Sequence, residues 1–140
     1  MAGYSGTPLA KKLGISDDCR VLAIRTPESV IKEIHKHAPA ATFVKSASKP
    51  ESIAVAIVMC STQKQLEVDV AKAHSVLSQS GSIWVCWPKK SSGTKTDISE
   101  STLREYVLKT GLVDIKVCAV DEIWSGLKFV IRVKDRKELR

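Results

Sequence analysis

A cationic loop rich in hydroxyl groups follows the most apolar stretch of the chain. Residues 83–88 read as a buried strand, and the loop begins directly after Pro88. The polar residues of this loop, which the sequence predicts to bind a ligand, are Lys89, Lys90, Ser91, Ser92 and Gly93. Ammonium groups, hydroxyls and the unhindered backbone of a glycine suit an anion. Because ligands of α/β sheets lie beyond the carboxyl ends of the strands, the loop predicts a binding site for a small anion.

Groups that could act in catalysis are scattered along the chain. Cys60 ends an apolar run and precedes Ser61 and Thr62, so a nucleophile could lie there beneath a helix N-terminus. No histidine is placed near it, which favours a packed thiol. Asp121 and Glu122 form a carboxylate pair that is more typical of turn chemistry than of acid–base catalysis. Catalytic residues therefore stay unknown, and the sequence favours a protein that is not an enzyme.

Cysteine and histidine spacing gives no support for a metal or a disulfide framework. The cysteines at 19, 60, 86 and 118 are far apart, which favours reduced, buried thiols. His35 and His37 are two residues apart and would point in different directions on a helix. No signal peptide or membrane-spanning run is evident, so we expect a cytoplasmic protein without a membrane partner.

Length and charge limit the partners. A chain of 140 residues predicts one domain over residues 1–140. The net charge of +7 favours anionic partners, but basic and acidic residues are interleaved along the chain. Clustering of the kind that tracks a phosphate backbone is missing, so nucleic acid is an unfavoured partner.

The predicted elements that would position these residues alternate between helix and strand. Turn residues at 4–6 precede the first helix. Helices are predicted at 8–13, at 27–38, from the capping box 62–65 to Gly81, and from Asp97 to Lys109, and strands at 20–24, 42–45, 53–60 and 83–88. Apolar residues then recur at every second position from 113 to 119 and from 127 to 133, which predicts an antiparallel hairpin.

This order predicts a single Rossmann-like α/β domain: a mostly parallel sheet with helices on both faces and a C-terminal antiparallel hairpin. Such a sheet is similar to the fold of class I methyltransferases. In cofactor-binding folds of this kind, glycines follow the first strand and let the backbone approach the cofactor. Here that turn is residues 25–29 and contains no glycine, so the sequence predicts no cofactor.

Three segments that span the chain carry a family resemblance. They are residues 4–15 (YSGTPLAKKLGI), 87–93 (WPKKSSG) and 117–128 (VCAVDEIWSGLK). These segments resemble the signatures of domain-of-unknown-function family 3052, a bacterial family. The resemblance indicates which residues could be functional but implies no activity. By analogy with methyltransferase-like folds, the N-terminal helix would lie over the carboxyl edge of the sheet. Lys11, Lys12, Lys89 and Lys90 would then line one crevice, with Trp124 as a wall.

Three functions follow as hypotheses. The first is a non-catalytic module that binds a small phosphorylated or carboxylated ligand, or an acidic partner surface. The alternative is a divergent nucleotide- or S-adenosylmethionine-dependent transferase. The last is an assembly protein that forms a homodimer by pairing its final strand, through Leu127, Phe129 and Ile131, edge to edge with a second copy.

Overall fold

Most strands form close to where apolar residues predict them, although the strands predicted at 83–88 and 127–133 begin earlier, at Leu77 and Trp124. A computed structural model describes residues 7–136 of the chain. The strands are β1 (Arg20–Ile24), β2 (Thr42–Val44), β3 (Ile53–Met59), β4 (Leu77–Pro88), β5 (Leu112–Ala119) and β6 (Trp124–Ile131). The turn predicted at residues 4–6 lies outside the described residues, so one domain over residues 1–140 stays a prediction.

All six strands belong to one sheet with the order β2-β1-β3-β4-β6-β5. Strands β2, β1, β3 and β4 are parallel, whereas β6 runs antiparallel to both of its neighbours, β4 and β5. The predicted Rossmann-like α/β fold with a C-terminal antiparallel hairpin is therefore confirmed.

Helices cover both faces of the sheet. Their bounds are α1 (Leu9–Leu13), α2 (Glu28–His35), α3 (Gln63–Val76) and α4 (Glu100–Leu108). Side chains of α1 and α2 pack with Trp84 and Cys86 of β4 on one face. Side chains of α3 and α4 pack with Ile83 and Val85 on the other. None of these helices is long and apolar enough to cross a membrane, within residues 7–136.

Two helix boundaries differ from the prediction. Helix α3 ends at Val76 rather than at Gly81, because Leu77 already pairs with Ile53 of β3. Helix α4 begins after Ser99, whose hydroxyl accepts from the backbone N–H of Thr102, rather than after Asp97. Both errors arise because tertiary contacts outweigh a local cap or stop signal.

The final strand is not an edge strand, which corrects the proposed mode of dimerisation. Strand β6 lies between β4 and β5, and its residues Leu127, Phe129 and Ile131 are buried under α4. The edge is β5 instead, where a bulge between Asp114 and Lys116 interrupts the predicted alternation. Ile115 and Val117 are each 54% exposed as a result.

Gly81 lies in a bulge of β4 that brings two backbones close together. A Cβ atom at this position would be 2.8 Å from the carbonyl oxygen of Ala54. We expect Gly81→Ala to lower the free energy of unfolding by about 2 kcal/mol, because β3 and β4 would have to separate. Urea denaturation measures this, with the exposed neighbour Ser80→Ala as a control that changes stability by less than about 0.5 kcal/mol. Equal stability of both variants would contradict the close approach.

Candidate functional site

The turn after β1 is where a cofactor-binding fold of this kind would need glycine, and it is built from bulky residues. Arg25 takes a left-handed conformation with φ 55°. Thr26 follows, and Pro27 precedes the first residue of α2 without a side-chain cap. Glu28 then places a negative charge at the positive end of the helix. Backbone N–H groups in this turn are therefore poorly placed to hold an anionic group of a cofactor.

An ion pair crosses from this turn to the opposite face of the sheet. The guanidinium of Arg25 binds the carboxylate of Asp69, which lies in α3. Asp69 is 2% exposed, and it is the only buried charged residue within residues 7–136. A buried carboxylate is costly unless it is paired, so the contact fixes the turn to α3. The sequence shows no local sign of this pair because its members are 44 residues apart.

Cys60 lies at the carboxyl end of β3, beneath the same turn. It is 1% exposed, and burial raises the pKa of its thiol to about 12, against a smaller lowering by the positive charge of Arg25. The thiol is therefore protonated at neutral pH, which disfavours a nucleophilic role. The packed-thiol interpretation of the sequence fits this environment.

The segment that follows the cationic loop is tied to the end of β3. The hydroxyl of Thr96 donates to the carbonyl of Ser61 at 2.7 Å, and the backbone N–H of Asp97 donates to the same carbonyl. The carboxylate of Asp97 accepts from the backbone N–H of Gln63, the first residue of α3, at 2.8 Å. Asp97 therefore satisfies the N-terminus of α3, not that of α4 as the sequence suggested.

Several polar groups of the cationic loop have partners inside the protein. The ammonium of Lys89 donates to the carbonyl oxygen of Asp121 at 2.8 Å. The hydroxyl of Ser92 donates to the carbonyl of Lys89, and Gly93 closes this short helical turn with φ 75°. Ser91 and Lys90 are exposed. Part of the predicted anion site thus holds the loop in place.

Trp124 begins β6 and packs partly into the core. Its backbone N–H donates to the carboxylate of Asp121 at 2.8 Å, as does that of Ile123. The ring is half-buried against the cluster that contains Trp84 and Cys86. Asp121 therefore organises the turn between β5 and β6, which agrees with the turn chemistry predicted for it.

A crevice opens between α1, α2 and this turn, and we call it the amino-terminal crevice. Its volume is about 450 Å³. The residues that line it are Thr7, Pro8, Leu9, Lys12, Ser29, Val30, Glu33, His37, Val120 and Asp121. Most of the exposed wall area is apolar, and the charged residues of the lining are one lysine and two carboxylates. This combination is typical of a small-molecule pocket.

The four predicted lysines do not line one crevice. Lys12 lines the amino-terminal crevice, whereas Lys11 is exposed and is not part of that lining. Lys89 and Lys90 line a second depression of about 480 Å³, beside Ser99 and Arg104 of the α4 start. The two hollows adjoin at Asp121, which lines the first and accepts from Lys89. Ligand binding by these lysines stays a prediction.

No three His, Cys, Asp or Glu side chains within residues 7–136 are grouped to hold a metal ion. The ring of His35 packs edge-on against Phe43 with centroids 4.8 Å apart, while His37 lines the amino-terminal crevice. The two histidines therefore lie in different environments.

Several solved structures with a similar fold are named as methyltransferases or hold S-adenosylmethionine or S-adenosylhomocysteine. A TehB-like methyltransferase from Corynebacterium glutamicum matches with a TM-score of 0.56 and 11% identity, over 94% of this chain and 91% of that chain. Fibrillarin from Aeropyrum pernix, solved with natively bound S-adenosylmethionine, matches with a TM-score of 0.53 and 12% identity, over 91% and 70%. DhpI bound to S-adenosylhomocysteine gives 0.52 and 13%, over 86% and 69%.

These likenesses establish that the chain has the class I methyltransferase fold. No protein-family model matches the chain, and no curated protein matches its sequence. The resemblance to domain-of-unknown-function family 3052 is thus not confirmed and stays an expectation from its three motifs.

Buried thiols give the stability of the protein a defined pH dependence. The pKa of Cys60 is about 12 in the folded chain against 9.0 for an ordinary cysteine. The unfolded chain therefore loses this proton first, so the stabilisation is complete below pH 9 and is lost as the pH rises from 9 towards 12. We expect the free energy of unfolding to fall by up to about 1.4 kcal/mol per pH unit for this thiol.

Urea denaturation between pH 8 and pH 10.5 measures this slope. Cys60→Ala removes the contribution of this thiol, so its stability should fall less steeply than that of the wild type. The buried thiol of Cys86, whose pKa burial also raises, keeps its own share in both proteins. Parallel pH profiles for the two proteins would contradict a protonated Cys60.

Substitution of each lysine of the loop tests whether that lysine stabilises the folded protein. Lys89→Ala removes the bond to the carbonyl of Asp121 and should lower the free energy of unfolding by about 1–2 kcal/mol. Lys90→Ala, at an exposed position, should change it by less than about 0.5 kcal/mol. Thermal and urea denaturation measure both variants. A Lys89→Ala protein as stable as Lys90→Ala would show that the bond does not hold the loop.

Proposed function

We propose that this chain is a divergent transferase that binds an S-adenosylmethionine-type or nucleotide-type ligand in the amino-terminal crevice. The observation that carries the proposal is the chemistry of that crevice: apolar walls and an excess of carboxylate, in a fold shared with enzymes solved with bound S-adenosylmethionine and S-adenosylhomocysteine. The likeness supports this reading more directly than it supports a non-catalytic anion-binding module.

The charge of the crevice favours a ligand with a cationic group. Lys12, Glu33 and Asp121 line the crevice together, and these three side chains carry a net charge of −1. Glu33 also pairs with Lys36 at 3.0 Å, but both side chains are at least half exposed, and such pairs are weak in water. A simple anion would be repelled from this lining, whereas a sulfonium or ammonium group would be attracted.

The residues present fit an S-adenosylmethionine-type ligand in this crevice and do not fit one at the turn after β1. Glu33 and Asp121 would face its cationic groups, and Lys12 its carboxylate. Pro8, Val30 and other apolar residues of the lining would contact its uncharged body. When bound, the ligand supplies an electrophilic methyl group. Side chains, rather than the backbone N–H groups of a glycine turn, would hold and orient it.

An anion-binding module is the second candidate function. The depression beside α4 supports it, because Lys90, Ser99 and Arg104 line that hollow together. Arg104 already binds the carboxylates of Glu100 and Asp114, which reduces the charge that is left for a ligand.

Isothermal titration calorimetry distinguishes the two candidates. We expect S-adenosylmethionine and S-adenosylhomocysteine to bind the wild-type chain. In thermal denaturation, each should raise the free energy of unfolding by about 2.7 kcal/mol at a hundred times its dissociation constant. Lys12→Ala and Glu33→Gln should each weaken binding by about tenfold, because each removes one charged contact. Lys11→Ala, one position along α1 and exposed, is the matched control and should bind as the wild type does.

The opposite pattern would overturn the proposal. Heats with inorganic phosphate or ATP that Lys90→Ala abolishes, and none with the adenosyl compounds, would favour the anion-binding module. Unchanged affinity in both Lys12→Ala and Glu33→Gln would remove the ligand from the amino-terminal crevice.

A further inference from the structure

We infer that the Arg25–Asp69 pair closes the sheet's topological switch point, so that an adenosyl ligand would bind at the amino-terminal crevice rather than at the switch point. The switch point is the gap between β1 and β3, because the helices that follow these strands, α2 and α3, lie on opposite faces. Open α/β sheets bind their ligands at such gaps. The second half of the inference, on where the ligand binds, rests on the function proposed above.

The guanidinium of Arg25 spans this gap. Ile24 pairs with Val58, so Arg25 leaves β1 beside the end of β3 and reaches Asp69 in the helix that follows β3. Its positive charge is close enough to lower the pKa of Cys60, the first residue after β3. A left-handed conformation at Arg25 directs the chain into α2 while the side chain turns the other way.

Burial of the Asp69 carboxylate favours the paired state of Arg25 and Asp69. Asp69 is 2% exposed in a 14-residue helix, with no other cation bonded to its carboxylate in the described part of the chain. Moving Arg25 away would leave a buried charge without a partner, which is strongly unfavourable. Arg25 itself is about half exposed, so it can reach the pair without burial of its whole side chain.

A second set of contacts lies beside the gap, at the end of β3. Thr96 and Asp97 bind Ser61 and Gln63, which occupies the N-terminus of α3 next to the switch point. The end of β2 adds a further obstacle to a dinucleotide, because Lys45 stands 20 residues after Arg25 where an acidic residue would bind a ribose. Charged and bulky side chains of this chain thus lie at the strand ends where folds of this kind bind a cofactor.

Labelling of Cys60 with a maleimide, read by mass spectrometry of each cysteine, tests the closure without a ligand. Cys60 should be unreactive in the wild type, and its labelling rate should rise by at least about tenfold in Arg25→Ala. Since Arg25→Ala leaves Asp69 charged and alone, Arg25→Ala/Asp69→Asn provides a second variant that opens the gap without a buried charge. Arg104→Ala removes two ion pairs at the surface, to Glu100 and Asp114, and is the matched control.

The labelling rate of Cys86 distinguishes local opening at the switch point from unfolding of the whole chain, because Cys86 is fully buried in β4. Faster labelling of Cys60 alone supports the inference. Unchanged labelling of Cys60 in both Arg25 variants, or equal acceleration at Cys60 and Cys86, overturns it.

Titration of S-adenosylhomocysteine into Arg25→Ala/Asp69→Asn tests where the ligand binds. Affinity within about twofold of the wild type is expected if the ligand contacts only the amino-terminal crevice, and a tenfold loss would place it at the switch point. A wild-type chain that binds no adenosyl compound would refute the proposed function while the labelling result still decides the closure.

Discussion

Burial of β4 on both faces is the constraint on which the rest of the structure depends. Its residues from Ile83 to Cys86 are inaccessible to solvent, so each face needs a helical layer and each edge needs a strand. The indole N–H of Trp84 donates to the carbonyl of Leu13 at 3.0 Å, which fixes the end of α1 to the centre of the sheet. This bond and the buried side chains of Leu9, Ala10 and Leu13 together position the short α1.

The same strand assembles the candidate site. Because β6 pairs along the whole carboxyl half of β4, Pro88 lies opposite Trp124 and the two connecting turns meet. Lys89 then binds Asp121, and the position of α1 over the sheet closes the amino-terminal crevice from the other side. Antiparallel pairing thus brings together segments that are more than thirty residues apart.

Much of the fold could be predicted from the sequence, and much less of the site. Strands β1 and β3 are apolar runs bounded by turn residues, so periodicity and length were sufficient. The boundary at Gly81 was wrong because a bulge against Ala54 needs glycine as much as a helix end does. The Arg25–Asp69 pair could not be predicted, since an aspartate on α3 gives no sign that it faces a turn 44 residues earlier. Lys11 and Lys12 are separated because adjacent residues of a helix point in different directions, whereas Lys89 is held by the carbonyl of Asp121.

Hydrogen exchange of the full chain, with and without saturating S-adenosylmethionine, tests the proposal that this chain binds its ligand in the amino-terminal crevice rather than at the switch point. The account predicts slower exchange of backbone amides in residues 9–12, 29–33 and 120–121, with residues 24–26 and 60–66 unchanged. Slower exchange confined to residues 24–26 and 60–66 would contradict it, because the ligand would then occupy the switch point that Arg25 and Asp69 close.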